Sequence, residues 1–152
     1  LALSFSQTAF AEGTAVTFGG LKADTTQQVE MNADTLTVNQ ADGTAVFSGN
    51  VVVSQGAMKL SANEVRVPYG ADKTSIETLY ATGQVLLVNA TDAAQADNAV
   101  YTIASGEVVM TGNVLLTQGQ AAMSAGKLVI DLKTGMGRME GRVKTTFVPG
   151  KK

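Results

Sequence analysis

The stretch Ala45–Gly56, AVFSGNVVVSQG, decides the fold, because the chain writes it again. It returns as VVMTGNVLLTQG at Val108–Gly119, more loosely as LYATGQVLLVN at Leu79–Asn89, and last as MEGRVKTTF at Met139–Phe147. In each copy a glycine is followed two positions later by valine: Gly49/Val51, Gly83/Val85, Gly112/Val114 and Gly141/Val143. These glycines are 34, 29 and 29 residues apart. A second mark runs between them, at Ala33, Ala62, Ala96 and Ala125, in NADTLTV, SANEVRV, QADNAVYT and SAGKLVI. From each of the first three glycines to the next marker alanine is 13 residues, and from each alanine to the next glycine 16, except 21 between Ala62 and Gly83. One five-residue insertion near Pro68–Ile76 therefore explains every departure from a 29-residue period. Four degenerate repeats of this length point to stacked supersecondary units.

Within each copy the pattern has period two. The positions flanking the glycines are Phe47, Val51, Val53; Ala81, Val85, Leu87; Met110, Val114, Leu116; and Met139, Val143, Thr145, none of them charged. The alternate positions are more polar, reaching Arg138, Glu140, Arg142 and Lys144 in the last copy. Such alternation is a half-buried strand, with the glycine on the inner face where backbone bends or comes close. In the alanine segments the apolar residues fall two before the alanine, then three and five after it, as in Leu60, Val65 and Val67. That change of parity places a bulge or corner, with an extra residue expected just after the alanine. Ala-Asp-Gly (41–43), Ser-Gln-Gly (54–56), Ala-Ser-Gly (104–106) and Thr-Gln-Gly (117–119) read as turns. The expected fold is all-β: an open, twisted β-jelly roll or solenoid-like sandwich of four repeats, with edge strands at Val29–Met31 and Val143–Val148.

Composition narrows the chemistry. The 152 residues are 45% hydrophobic but 5% aromatic, so the core is aliphatic. Neither cysteine nor histidine occurs, which removes disulfides, thiol nucleophiles, Ser-His-Asp triads and His/Cys zinc sites. The acids Asp34, Asp42, Glu64, Asp97, Glu107 and Asp131 form no repeated pair at fixed spacing, so they read as solvated corners rather than a glycosidase dyad. No enzyme, metal or cofactor is expected. A net charge of −2 argues against nucleic acid, but from Lys127 onward the balance is +5 and before it −7. A basic solvated end is one reading of that asymmetry, and charge-complementary end-to-end contact another.

LALSFSQTAFAEG reads as the back half of a secretory signal, with Ala9-Phe10-Ala11 as an A-x-A site. The expected organisation is a signal remnant over 1–11, cleaved after Ala11, a flexible lead-in over 12–28, one domain over 29–148 and a tail at 149–152.

MNADTLTV, then AVFSGNVVVSQGAMKLSANEVRV, then a second VVMTGNVLLTQG downstream, resembles the LptA or OstA-like family of periplasmic lipopolysaccharide-transport proteins. The resemblance spans roughly Val29–Val148. It implies a jelly roll whose interior carries lipopolysaccharide acyl chains, and units that dock head to tail between inner-membrane and outer-membrane transport components. On this chain the implied lipid-facing positions are Leu36, Val38, Phe47, Val51, Val53, Val65, Val67, Val85, Leu87, Tyr101, Met110, Val114, Leu116, Leu128 and Ile130. The implied docking edges are Val29 and Met31 at one end and Val143, Thr145 and Phe147 at the other. From pattern alone a solid-cored structural β-solenoid filament stays open as the alternative.

Overall fold

The computed structural model describes residues 14–17, 24–69, 76–89 and 92–149. The A-x-A site and most of the insertion at Pro68–Ile76 lie outside them. Among the described residues there is no helix, only eleven strands: β1 (Thr14–Thr17), β2 (Val29–Asn32), β3 (Thr35–Asn39), β4 (Thr44–Gln55), β5 (Met58–Pro68), β6 (Thr78–Asn89), β7 (Asp92–Thr102), β8 (Glu107–Gln118), β9 (Ala121–Asp131), β10 (Met136–Glu140) and β11 (Lys144–Thr146). All join one antiparallel sheet in the order β1-β10-β9-β8-β7-β6-β5-β4-β2, with β3 also on β4 and β11 also on β9.

Each long strand breaks register in its middle. Between β4 and β5, Ser48 pairs Glu64 and Val51 pairs Ala62, so Gly49 and Asn50 oppose Asn63 alone. Equivalent shifts occur between Thr82 and Val85 and between Thr111 and Val114. The parity change expected at the alanine segments is present, but the extra residue sits on the glycine strand. The reason is conformational: Gly49, Gly83, Gly112 and Gly141 have φ near +84 to +90°, and the residues after them, Asn50, Gln84, Asn113 and Arg142, are also left-handed. Two consecutive left-handed residues turn a strand sharply, and only glycine takes the first of them without strain.

The corners lock against one another. A Cβ on Gly49 would stand 2.7 Å from Asp34 Oδ2, on Gly83 2.6 Å from Asn63 Nδ2, and on Gly112 2.7 Å from Asp97 Oδ2. The residue after each of the first three marker alanines therefore packs on the next marker glycine, which is what the spacing of the two marks encodes. The amides of Asn50 and Asn113 donate to Asp34 and Asp97 at 3.0 Å. At the fourth corner Gly126 takes the acid's place, and its N–H donates to the Gly141 carbonyl at 3.0 Å. Asp34 and Asp97 are solvent-exposed at the corners, as read from sequence, and also brace the spine.

The spine divides the sheet into two halves. Half-sheet I contains β1, β3, β10 and the segments 44–48, 64–68, 78–82, 98–102, 107–111 and 127–131. Half-sheet II contains β2, β11 and the segments 51–55, 58–62, 85–89, 92–96, 114–118 and 121–125. With no helix to cover them, both inner faces reach full burial only by facing each other. Val65, Met110 and Leu128 from half I and Val53, Leu87 and Leu116 from half II are all at most 1% exposed. The outward face of half I is mixed: a row of Val46, Val100, Val109 and Val129 runs through Arg66, which stacks on Tyr80 at 4.5 Å, and Arg138, which pairs Glu140 at 2.7 Å.

Two details differ from the sequence reading. Thr14–Thr17, inside the stretch read as a lead-in, is a strand paired with β10 from Thr14↔Met139 to Thr17↔Met136. A free strand edge accepts any extended backbone whatever its side chains, so residue pattern carries no trace of this. The last copy, read as one strand, is split at Gly141–Arg142 into β10 and β11, which sit on the two halves of β9.

The corner predicts a graded effect. Gly112→Ala must both strain φ +87° and push into Asp97, whereas Gly119 has nothing within 4 Å and φ +59°. We expect Gly112→Ala to lower unfolding free energy by about 2–4 kcal/mol and Gly119→Ala by about 1 kcal/mol, measured by urea denaturation. Equal losses would contradict the corner lock.

Candidate functional site

The sequence-expected inner positions fall on one continuous surface. Twelve of the fifteen, Val51, Val53, Val65, Val67, Val85, Leu87, Tyr101, Met110, Val114, Leu116, Leu128 and Ile130, are at most 1% exposed. Leu36 and Val38 are exposed at 53% and 51%, and Phe47 is half-buried. The middle of the molecule is therefore closed, while one end presents its lining to solvent.

A single contact explains this gradient. The Tyr101 hydroxyl, on β7 of half I, donates to Gln55 Oε1, on β4 of half II, at 2.6 Å. These strands are three places apart in the sheet order. At this contact half I is thus displaced along the sheet relative to half II, in keeping with a twisted sheet. The first strands of half I carry the exposed part of the inner face, Leu36, Val38, Ala45 and Phe47, and form an apolar shelf. At the other end half II overhangs, and there Met123 and Ala125 become 8% and 9% exposed, Val143 half-buried and Thr145 exposed. Val29 and Met31, on the opposite half from the shelf, are also half-buried. Phe147 lies beyond β11 at 64% exposure.

The rims of the two halves, opposite the spine, differ from the rest of the interior. Buried polar residues Gln55, Asn89 and Asp92 line the rim of half II, and Gln118 donates to Asp92 Oδ2 at 3.0 Å. Gln55 sits at a node: its Oε1 accepts from Tyr101 while its Nε2 donates to the carbonyls of Thr25 and Gln27 at 3.1 and 2.9 Å. Both its N–H donors and its amide oxygen are engaged. Burial pushes the Tyr101 phenol above its usual range, so it is the neutral donor at physiological pH. The turn that receives Gln55 is itself closed by Asp24, whose carboxylate accepts from Thr26 and Gln27, and those bonds lower its pKa.

Sequence reasoning placed Gln55 in turn chemistry. The turn instead begins at left-handed Gly56, and Gln55 ends β4 inside the protein. The inward parity of Gln55, two after Val53, was the available signal. Met58, Leu79, Val108 and Leu132 belong to the core and were also missed. Among the described residues no group of acidic side chains could hold a metal ion.

The sheet is folded on itself around an aliphatic interior whose buried ionisable carboxylate, among the described residues, is Asp92 at the rim. What such a sheet can do is exchange its own apolar contacts for those of another apolar body. The family profile described as "LptA/(LptD N-terminal domain) LPS transport protein" matches residues 30–136. The chain belongs to this family. It is accordingly a component of lipopolysaccharide transport. An uncharacterised protein of Rhizobium meliloti (strain 1021) is 26% identical over 152 residues, covering 93% of this chain and 82% of that protein. The fold also matches a crystal structure of LptH from Pseudomonas aeruginosa, described as the LptA homologous periplasmic component of the conserved lipopolysaccharide transport device. That match has TM-score 0.72 and 20% identity, covering 84% of this chain and 99% of LptH. It bears out the LptA-like jelly roll expected from the sequence.

The displacement of the halves separates stability from exposure. Leu116→Ala is expected to lower stability by about 2–5 kcal/mol, because it empties a closed core. Leu36→Ser, on the shelf, should change it by about 0.5 kcal/mol or less, both read by thermal unfolding.

Proposed function

We propose that this protein is a non-enzymatic periplasmic carrier that shields lipopolysaccharide acyl chains between its two half-sheets and docks head to tail through its end strands. The observation that carries the reading is the aliphatic inner face, continuous from Leu36 on β3 to Leu128 on β9, with its buried carboxylate, Asp92, confined to the rim. Burying a methylene is worth about 0.8 kcal/mol, so one acyl chain of about a dozen carbons loses on the order of 10 kcal/mol in water. A lipid with several chains crosses an aqueous gap only if it is shielded, and aliphatic walls with methionine at positions 58, 110 and 123 adapt to it. The same contacts that seal the interior without lipid are re-formed with acyl chains, so loading need not sacrifice apolar burial.

The displaced ends suit docking of a second copy. When the β2/β3 edge of one unit meets the β1/β11 edge of another, the shelf with Leu36, Val38 and Phe47 lies over the overhang with Met123 and Thr145. Two incomplete ends then close into one interior. Strand addition supplies the backbone bonds, and Val29, Met31, Val143, Thr145 and Phe147 are the edge residues concerned. The acidic first part and basic last part of the chain favour that polarity. The proposed unit is the domain over 29–148 together with β1 on its β10 side, exported by cleavage after Ala11 and bridging inner- and outer-membrane components. A solid-cored filament would share the fold but bind no lipid.

A photoreactive residue at Leu116 or Val53 should crosslink to lipopolysaccharide several-fold more than one at outward Ser48. Equal labelling from all three sites counts against the carrier reading.

A further inference from the structure

We propose that the Tyr101–Gln55 hydrogen bond is a latch on the seam between the half-sheets, and that acyl chains enter sideways through this seam when it opens. The inference rests on the carrier reading and adds where the molecule parts. The interior lining is sealed, at most 1% exposed along most of its length, so loading requires the halves to separate. On the spine side they cannot. Strands β4 to β9 pass through the spine as unbroken backbone, and its glycines are packed against Asp34, Asn63 and Asp97 with no room for a methyl group. Opposite the spine the described connections are turns, those at 56–57, 103–106, 119–120 and 132–135 among them, and the Tyr101–Gln55 bond there is made by side chains alone.

Separation therefore hinges at the spine and parts at the rim. The rim of half II carries Gln55, Asn89, Asp92 and Gln118, groups that water solvates readily once exposed, whereas the layer beneath is aliphatic. Parting along a polar line is cheaper than along an apolar one. Gln55 also holds the carbonyls of Thr25 and Gln27, so breaking the node frees the segment leading into β2, the strand at the proposed docking edge. The latch thereby couples lateral opening to that edge.

The chain has no cysteine, which makes the test direct. Spin labels on Ala57→Cys and Ala104→Cys, exposed turn residues at the two rims, report the gap by double electron–electron resonance. We expect one short distance in the parent protein and an added longer one with Tyr101→Phe, which keeps the ring and removes the donor. Purified lipid A should lengthen the distance in both. Tyr101→Phe should also load fluorescent lipid A about five-fold faster, the population ratio that one hydrogen bond commonly sets. A short bis-maleimide bridging the same two cysteines, with Tyr101 intact, should block loading, which keeps the test independent of how well Tyr101→Phe folds. Unchanged distances and loading in Tyr101→Phe, or normal loading in the bridged protein, overturn the latch while leaving the carrier in place. A parent protein that takes up no lipid A overturns both.

Discussion

A sheet with one apolar face and no other layer to cover it must cover itself. That constraint shapes the rest of this molecule. Flat, the sheet would leave Val53, Val65, Met110 and Leu116 in water, at roughly 1.5–3 kcal/mol for each fully exposed large side chain. Folding along a line of left-handed glycines brings the two halves of one face together without cutting the strands. Each turn of that fold is held by short-range packing of Asp34, Asn63 and Asp97 on the next glycine. The spine is rigid because it is crowded.

Twist then does what composition alone could not. In keeping with the rotation of neighbouring strands, the halves meet out of step at the Tyr101–Gln55 contact, with β7 of one over β4 of the other. A displaced sandwich has two unfinished ends of opposite kind: a shelf from half I and an overhang from half II. The half-exposed Leu36 and Val38 follow from this displacement rather than from poor packing. A protein closed at its centre and unfinished at both ends is suited to extension by copies or relatives of itself.

Much of this was legible in the sequence. Alternation identified the inner positions, and the two interleaved marks located the corners, because both are local consequences of strand period and glycine conformation. The LptA-like resemblance likewise rested on the glycine-containing copies and agrees with the family match. What stayed hidden depends on distant partners. Gln55 belongs by type to a turn, and its burial is decided by Tyr101, 46 residues away. The pairing of Thr14–Thr17 with β10 uses backbone alone, so no side-chain pattern announces it. The displacement of the halves involves many strands and has no single residue to mark it.

The most direct test of the central claim compares adjacent side chains on one strand. Leu116 faces inward and Leu115 outward on β8. With methyl-labelled protein and lipid A, intermolecular nuclear Overhauser effects to acyl protons should appear at Leu116, Leu87 and Val53 and be absent at Leu115, Leu86 and Val52. Effects confined to the outward set, or lipid bound with none at the inward set, would contradict the account.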